Sequence, residues 1–492
     1  MAPEPMSRAS GPGGLVSFDG QRVVVVGLGV TGQSAISLLA GRGASVTAVD
    51  SRDDTERQDL AGHLAKQGVQ VRLGPAELGP EAAVPAGTAL VVASPGLRPD
   101  TPLLARAVAD GVAVIGDIEL AWRLRPELPG GGRQQWLAVT GTNGKTTTVR
   151  MLAAMLAAAG HRSVAAGNVG VPILDVVTDP QPYRVVAVEL SSFQLYWSAT
   201  ISPLAAVVLN VAAHHLDWHD DIQSYAAAKA RIFAPGTIAV CNADDPRTVA
   251  MADAAVAAGA TNRKVAFRLG PPGPGELGVA AGWLTDRAFG ADPGGTRLVR
   301  EAAIRPAAPH NVADALAAAA LARAYGDEPE SIAAGVAAFV PEPHRISLVA
   351  EIDGVAYVDD SKASNPAAAA AALASFPSIV WIAGGLFRGS DADLDAMVTA
   401  AAPRLRAAVL LGTDAARFSS ALARHAPDVP VTELAGTETG VMDQVVAQAA
   451  ADASSGDTVL LAPAAQSWDM FRDYSARGEA FAAAVGRLAE SR

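Results

Sequence analysis

The sequence predicts an α/β protein of three domains. These are a Rossmann-like N-terminal domain, a central P-loop ATPase-like domain with a parallel sheet plus a small β meander, and a C-terminal Rossmann-like domain. Three observations carry this expectation. Short Val/Ile/Ala runs alternate with helix-length segments along the chain, the pattern of parallel strands with crossover helices. Two glycine-rich loops each follow such a run and open a helical pattern. Two proline-containing connections, Pro126-Glu-Leu-Pro-Gly-Gly-Gly-Arg133 and Pro341-Glu-Pro343, interrupt the alternation. The 492 residues suit about three domains of roughly 100–200 residues each. We expect a disordered tail over 1–19 and domains over 20–128, 134–340 and 344–492.

The first block opens on the strand Arg22-Val-Val-Val-Val-Gly27 and continues with runs at Ser45–Val49, Ala89–Ala93 and Val112–Ile115. The second opens on Trp136–Thr140, then a helix placing Val149, Leu152 and Leu156 on one face. Strands at Val185–Leu190, Leu204–Asn210 and Thr237–Asn242 follow. The Gly/Pro-rich stretch Gly270–Gly295 has no helical period and reads as the meander, and His310–Tyr325 reads as a helix. The third block alternates again around Val355–Val358, Ile379–Ile382, Ala407–Leu411 and Thr458–Ala462.

Composition excludes several classes. Hydrophobic residues make up 50%, but no stretch of about 20 strongly apolar residues offers a membrane span. The N-terminus, MAPEPMSRASGPGG, lacks the apolar core of a signal peptide. The single cysteine, Cys241, forbids an internal disulfide and suits a reducing compartment. A net charge of −12 argues against general nucleic-acid binding, while loops and helix ends still bind phosphate locally.

Gly27-Leu-Gly29-Val30-Thr31-Gly32, with Asp50 ending the next strand, is a dinucleotide-binding fingerprint. It means that a diphosphate can sit on a helix N-terminus, from NAD or from a UDP-linked ligand; the plain alternative is a tight turn. In Gly141-Thr-Asn-Gly144-Lys145-Thr146, the residues from Gly144 fit the end of G-x-x-x-x-G-K-[ST], but Val139 stands at the first glycine. Backbone N–H groups at Gly144 to Thr146 would face phosphate oxygens, Lys145 would neutralise β/γ charge, and Thr146 or Thr147 would hold Mg²⁺. Glu189, ending an apolar strand behind this loop, is a hard-oxygen candidate for the same metal. His214, His215, Asp217 and His219 cluster after another strand, leaving zinc as a minority reading. Lys362, Arg388 and Ser467 are candidates for gripping a carboxylate substrate.

Together these stretches resemble the Mur ligase family, which adds amino acids to the peptidoglycan precursor. The resemblance runs from about Gly20 to the end. It rests on an ordered series: Thr140-Gly-Thr-Asn-Gly-Lys-Thr146, Glu189-Leu-Ser-Ser-Phe-Gln194, His215-Leu-Asp217, Lys229, His310-Asn311, Pro343-His-Arg345 and Asp360-Ser-Lys362. The variant loop is the form this family uses, and it implies ATP. The stretches Gly27–Ser34, Ser94-Pro-Gly96, Gly116-Asp-Ile-Glu-Leu120 and Ser467-Trp-Asp-Met-Phe471 look like the D-glutamate-adding branch.

The resemblance implies UDP-N-acetylmuramoyl-L-alanine and D-glutamate as substrates, joined through an acyl phosphate in cytoplasmic peptidoglycan precursor synthesis. It implies a monomer with no nucleic-acid partner and no membrane insertion. ATP would be held by Gly141, Thr142, Asn143, Gly144, Lys145, Thr146, Thr147, Asn311, Arg345 and Asp360. Two Mg²⁺ sites are expected, one on Thr146 and Glu189, the other on His215 and a carbamylated Lys229. The UDP-substrate would meet Val30, Thr31, Gly32, Asp50, Ser51, Arg52, Ser94, Asn168 and Ser192. D-glutamate would meet Lys362, Ser364, Arg388, Ser467 and Tyr474. The ATP loop and the D-glutamate groups must then meet across the Pro341–Pro343 connection. The chain departs from the family pattern at Asp314, usually Asn; at His214, often acidic; and at Arg388-Gly389, usually Lys-Gly. Arg388 keeps the charge, so D-glutamate specificity is expected to hold. A dehydrogenase, a folylpolyglutamate-synthase-like ligase and an inactive ligase fold are the competing readings. The first leaves Lys145 and Glu189 unused, the second lacks a domain like 20–128, and the third does not account for an intact Lys145, Glu189, His215 and Lys229.

Overall fold

The computed structural model describes residues 17–261, 263–290, 292–306, 308–434 and 440–491; the expected tail over 1–19 lies almost wholly outside them. Among the described residues the strands form three sheets. The first contains β1 (Arg22–Val26), β2 (Ser45–Asp50), β3 (Gln70–Leu73), β4 (Thr88–Ala93) and β5 (Ala113–Gly116), all parallel, in the order β3-β2-β1-β4-β5. The valines of β1 are buried on both faces, as a parallel sheet covered by helices requires. Its helices are α1 (Val30–Gly41), α2 (Thr55–Lys66), α3 (Pro102–Ala109) and α4 (Asp117–Arg123).

The central sheet holds β6 (Gln135–Thr140), β7 (Ser163–Gly167), β8 (Val185–Glu189), β9 (Ala205–Val208), β10 (Ile238–Asn242), β11 (Lys264–Phe267), β12 (Glu276–Ala280), β13 (Trp283–Asp286) and β14 (Thr296–Arg300). Their order is β14-β13-β12-β11-β10-β9-β6-β8-β7. The meander expected over Gly270–Gly295 contains β12 and β13, and β14 just beyond it completes the antiparallel pairing. It is continuous with the parallel part, because β12 pairs with β11. The helices are α5 (Lys145–Ala158), α6 (Ile173–Val177), α7 (Ser192–Tyr196), α8 (Leu216–His219), α9 (Ile222–Ala230), α10 (Pro246–Ala257), α11 (Pro309–Tyr325) and α12 (Pro329–Ala338). The expected face of α5, Val149, Leu152 and Leu156, is fully buried. Gly335 lets α12 lie on α5: a Cβ there would stand 2.4 Å from Met155 Cα and 2.6 Å from its N. Gly335→Ala is therefore expected to lower unfolding stability by about 1–3 kcal/mol, read as a lower denaturant midpoint at unchanged slope.

The third sheet runs β15 (Ser347–Ile352), β16 (Val355–Asp359), β20 (Thr458–Leu461), β17 (Ile379–Gly384), β18 (Leu405–Leu411) and β19 (Val431–Glu433) in that spatial order. All its pairs are parallel except β15 with β16. Apolar cores fill both of its faces. The described chain forms two compact units. One carries the first two sheets, the other the third. Within the first unit the two domains share one core, from Phe18 through Trp136 to Ala266. Glu119 at α4 ties them further, accepting from the amides of Ala199 and Thr200 (2.9 Å each) and from the Thr200 hydroxyl (2.6 Å).

Candidate active site

The chemistry-bearing groups of the first unit lie at the carboxyl ends of β6, β7, β8 and β9, where the strand order reverses around β6. Open α/β sheets bind ligands at such points. The loop after β6 needs its glycines. Gly144 caps α5 in the left-handed region (φ 82°), and a Cβ there would stand 2.3 Å from Asp314 Oδ1. The N-cap of α5 is a glycine, so no cap side chain stands over a helix start that suits an anion. Asn210, just after β9, shapes the loop: its Oδ1 accepts from the amides of Thr142 (3.1 Å) and Asn143 (2.9 Å). Its Nδ2 donates to the Asn143 carbonyl at 3.2 Å. Lys145 folds back, its Nζ donating to the Gly141 and Thr142 carbonyls at 3.0 and 2.8 Å.

Behind the loop, Glu189 is buried and doubly bonded. Thr146 Oγ1 donates to Oε2 at 2.9 Å and Asn168 Nδ2 to Oε1 at 2.8 Å. Three expected site residues from three elements thus meet. A carboxylate and a hydroxyl at an uncapped helix start are hard oxygens that suit Mg²⁺ beside a triphosphate. Lys229, on α9, is 1% exposed, and its Nζ donates to the Gly141 carbonyl (2.8 Å) and Thr140 Oγ1 (3.3 Å). Burial, and then the charge of Lys145, hold its amine well below the usual lysine range. A neutral amine is the form that reacts with CO₂, so the surroundings fit a carbamate at this position. Thr147 is also buried, on the first turn of α5.

Two of the histidines of the 214–219 cluster, His215 and His219, pack against the Phe193 ring. His215 caps α8 with φ 55°, and its ring lies 4.8 Å from that of Phe193. His219 is buried, its Nε2 2.9 Å from Ser192 Oγ, and its pKa is pushed down to about 4, first by burial and then by Lys229. Ser192, expected at the UDP-substrate, is thus buried against His219. Among the described residues no group of three or more His, Cys, Asp or Glu is placed to hold a metal, which gives no support to zinc.

The first glycine loop closes tightly: a Cβ on Gly32 would stand 1.9 Å from the Gly27 carbonyl oxygen. Asp50 braces it, accepting from the Leu28 amide at 2.7 Å and the Arg52 amide at 2.9 Å. Ser94 lies against Gly27, and the exposed Arg52 pairs with Asp54 and Glu56. Ser51 is exposed beside it. Where the first two domains meet, a cleft of about 180 Å³ brings Val30, Thr31 and Asn168 together with Ser34, Asp117 and Gly170. Asp50, Ser51, Arg52, Ser94 and Ser192 do not line it.

The second unit assembles another group. Asp360 is buried, and its pKa is raised to about 8, chiefly by burial, against the pull of Arg345. Arg345 Nε donates to Glu342 at 2.9 Å, and Asn311 Nδ2 donates to the Pro306 carbonyl at 3.1 Å. Lys362 Nζ stands 3.7 Å over the Tyr474 ring. Arg477 donates to the Ser361 hydroxyl (3.0 Å) and carbonyl (2.8 Å), while Ser361 Oγ donates to the Tyr474 carbonyl. Ser467 is buried, Ser364 half-buried and Arg388 exposed.

A carboxyl whose folded pKa lies above its unfolded value of about 4 favours the fold in its protonated form. Asp360's contribution is therefore complete below about pH 4 and is lost as pH rises to about 8. Asp360→Asn is expected to flatten the fall of the ligand-free melting midpoint across that window; an unchanged pH profile would contradict it.

Sequence reasoning had no role for Asn210, Tyr225 or Asp117. Asn210 was legible as a polar residue ending an apolar strand. Tyr225, whose hydroxyl lies 3.2 Å from Thr142 Oγ1, carries no local signal, and Asp117 stands out only as part of the Gly116–Leu120 stretch.

Comparison with known proteins finds three family domains in order along the chain. The family model described as "Mur ligase MurD-like, N-terminal domain" matches residues 21–116, "Mur ligase middle domain" 139–277, and "Mur ligase, glutamate ligase domain" 344–465. The chain is 54% identical over 474 residues to the UDP-N-acetylmuramoylalanine–D-glutamate ligase of Thermobifida fusca, covering 96% of this chain and 99% of that one. It is 47% identical over 500 residues to the enzyme of that name from Mycobacterium bovis, covering 95% and 96%. Its fold is similar to a solved UDP-N-acetylmuramate-alanine ligase from Thermotoga maritima (TM-score 0.55, 19% identity, 96% and 100% covered). A Mycobacterium tuberculosis folylpolyglutamate synthase matches over 72% of this chain and 91% of its own (TM-score 0.52, 18% identity). With all three domains matched in sequence order and half-identical relatives aligned almost end to end, the chain belongs to the Mur ligase family.

Proposed function

We propose that this chain is an ATP-dependent ligase that adds D-glutamate to UDP-N-acetylmuramoyl-L-alanine in peptidoglycan precursor synthesis. One observation carries the reading most directly: Thr146, Glu189 and Asn168 converge behind the glycine loop that Lys145 and Lys229 both approach. A carboxylate is a poor electrophile. The γ-phosphoryl of ATP therefore passes to an oxygen of the L-alanyl carboxylate, releasing ADP. The amine of D-glutamate attacks the acyl carbon, phosphate leaves with that oxygen, and an amide and a proton remain.

The protein's part is positioning and charge neutralisation. The N-terminus of α5 and Lys145 bind the β/γ-phosphates. Mg²⁺, when bound, supplies charge neutralisation between the phosphates. Thr146 and Glu189 would hold one ion, and His215 with a carbamylated Lys229 the second. Val30, Thr31, Gly32, Asp50, Ser51, Arg52 and Ser94 serve the UDP end, with Asn168 and Ser192 toward the muramoyl group. Asn311, Arg345 and Asp360 serve the nucleoside of ATP. Lys362, Ser364, Arg388, Ser467 and Tyr474 frame D-glutamate. A cytoplasmic monomer fits the lone, buried Cys241, and among the described residues no helix is long and apolar enough to cross a membrane.

The test is phosphate release from ATP with Mg²⁺ and UDP-N-acetylmuramoyl-L-alanine, adding D-glutamate, L-glutamate, L-alanine or meso-diaminopimelate in turn. Release with D-glutamate alone is expected. Release with another amino acid alone overturns the substrate assignment, and no release with any of them overturns the ligase reading.

A further inference from the structure

We propose that Asp117 binds substrate in the cleft between the first two domains, its Oδ1 taking an amide N–H from the sugar–peptide part of the UDP-linked ligand. The assignment rests on the function proposed above and adds a residue to it. Asp117 opens α4 and is 2% exposed. Its Oδ2 accepts from Gln194 Nε2 at 3.3 Å. Its Oδ1 is buried and has no hydrogen-bond partner among the described residues, yet the residue lines the cleft. A buried acceptor left unpaired is costly, so such an atom facing a cleft points to a ligand that brings the donor.

The neighbouring groups select that donor. Ser34 Oγ already donates to Asp175 at 2.5 Å, and Asn168 Nδ2 to Glu189. A carboxylate aimed into the cleft repels phosphate, so the diphosphate lies elsewhere and a neutral, donor-bearing part of the ligand lies here. UDP-N-acetylmuramoyl-L-alanine offers two amide N–H groups, one on the acetamido group and one joining alanine to the lactyl carbonyl. Asp117 is held for this contact. Gln194, which grips its other oxygen, is locked in a capping box with Ser191 at the start of α7. Burial raises the Asp117 pKa to about 6, eased by Gln194 and by the nearby amides of Ile118 and Asp117, which do not reach hydrogen-bond geometry with Oδ1. A ligand N–H would stabilise the charged form further.

The experiment is steady-state kinetics of Asp117→Asn beside the wild type. Asparagine keeps the shape and can still accept from Gln194, but it turns an NH₂ toward the ligand N–H. We expect KM for the UDP-substrate to rise about 10- to 100-fold, with KM for ATP and D-glutamate within about twofold. Two ligand analogues separate the sources: an ester in place of the acetamido group, and L-lactate in place of L-alanine. The analogue lacking the relevant N–H should bind the wild type about 10-fold or more weakly, with no comparable loss in Asp117→Asn.

Wild-type turnover with an unaltered Asp117→Asn KM overturns the assignment and leaves Asp117 as a brace for Gln194. No wild-type turnover overturns the functional reading, and the assignment with it. If Asp117→Asn melts more than about 4 °C lower, the analogue series on the wild type decides: equal affinity for amide and both ester ligands overturns the assignment.

Discussion

Lys229→Ala is expected to lower the rate of ADP formation by about 1,000-fold or more while leaving the fold intact. Lys229 is buried to the same degree as Glu189, at 1% exposure. Its Nζ shares the Gly141 carbonyl with Lys145 Nζ. Two ammonium groups on one carbonyl are unfavourable, and burial already disfavours charge on Lys229. Reaction of its neutral amine with CO₂ forms an N–C bond and releases a proton. The neutral amine would become an oxygen-donor anion, which would attract Mg²⁺ where an ammonium would repel it. Losing such a group from phosphoryl transfer removes several kcal/mol of charge stabilisation, hence the size of the effect. Acetate should partly restore the alanine variant, and Lys229→Arg should stay inactive. Intact protein mass should show one added CO₂ that acid treatment removes and bicarbonate returns. Full activity in enzyme stripped of CO₂ would sink the carbamate.

Glu189→Gln should lower kcat by about 100- to 1,000-fold and raise the Mg²⁺ concentration needed for half-maximal rate. Glutamine keeps the volume and can still meet Asn168 and Thr146, so the melting midpoint should move little. What it loses is the negative charge beside the α5 N-terminus. A titration of rate against Mg²⁺ at saturating ATP measures this. If the half-maximal concentration does not move, Glu189 is a brace for Asn168 and Thr146 and not a ligand.

The central strands were legible because they are apolar on both faces, and β1, β6, β8 and β17 read as near-continuous Val/Ile/Ala runs. Of the strands that the pattern did not announce, Gln70–Leu73, Ser163–Gly167, Thr296–Arg300, Ser347–Ile352 and Val431–Glu433 are sheet edges, and Lys264–Phe267 is interior. An edge strand is half solvated, so its residues mix polar and apolar, and pairing with its neighbour defines it.

The site divides in the same way. The sequence by itself determined the phosphate loop, because glycine conformations, a helix N-terminus and the following Lys145 and Thr146 all lie within a few residues of one another. It also determined that Glu189 ends a strand, and so faces the carboxyl edge of a sheet. Only the tertiary structure decided that Lys229 is buried, that His219 lies against Ser192, and that one oxygen of Asp117 has no hydrogen-bond partner among the described residues. Desolvation and hydrogen bonding are set by groups far apart in sequence. Asp117 meets Gln194 77 positions on, and Lys229 meets Gly141 88 positions back. Such distances leave no trace in local spacing, so the charge state and bonding of these residues exist only once the sheets have formed.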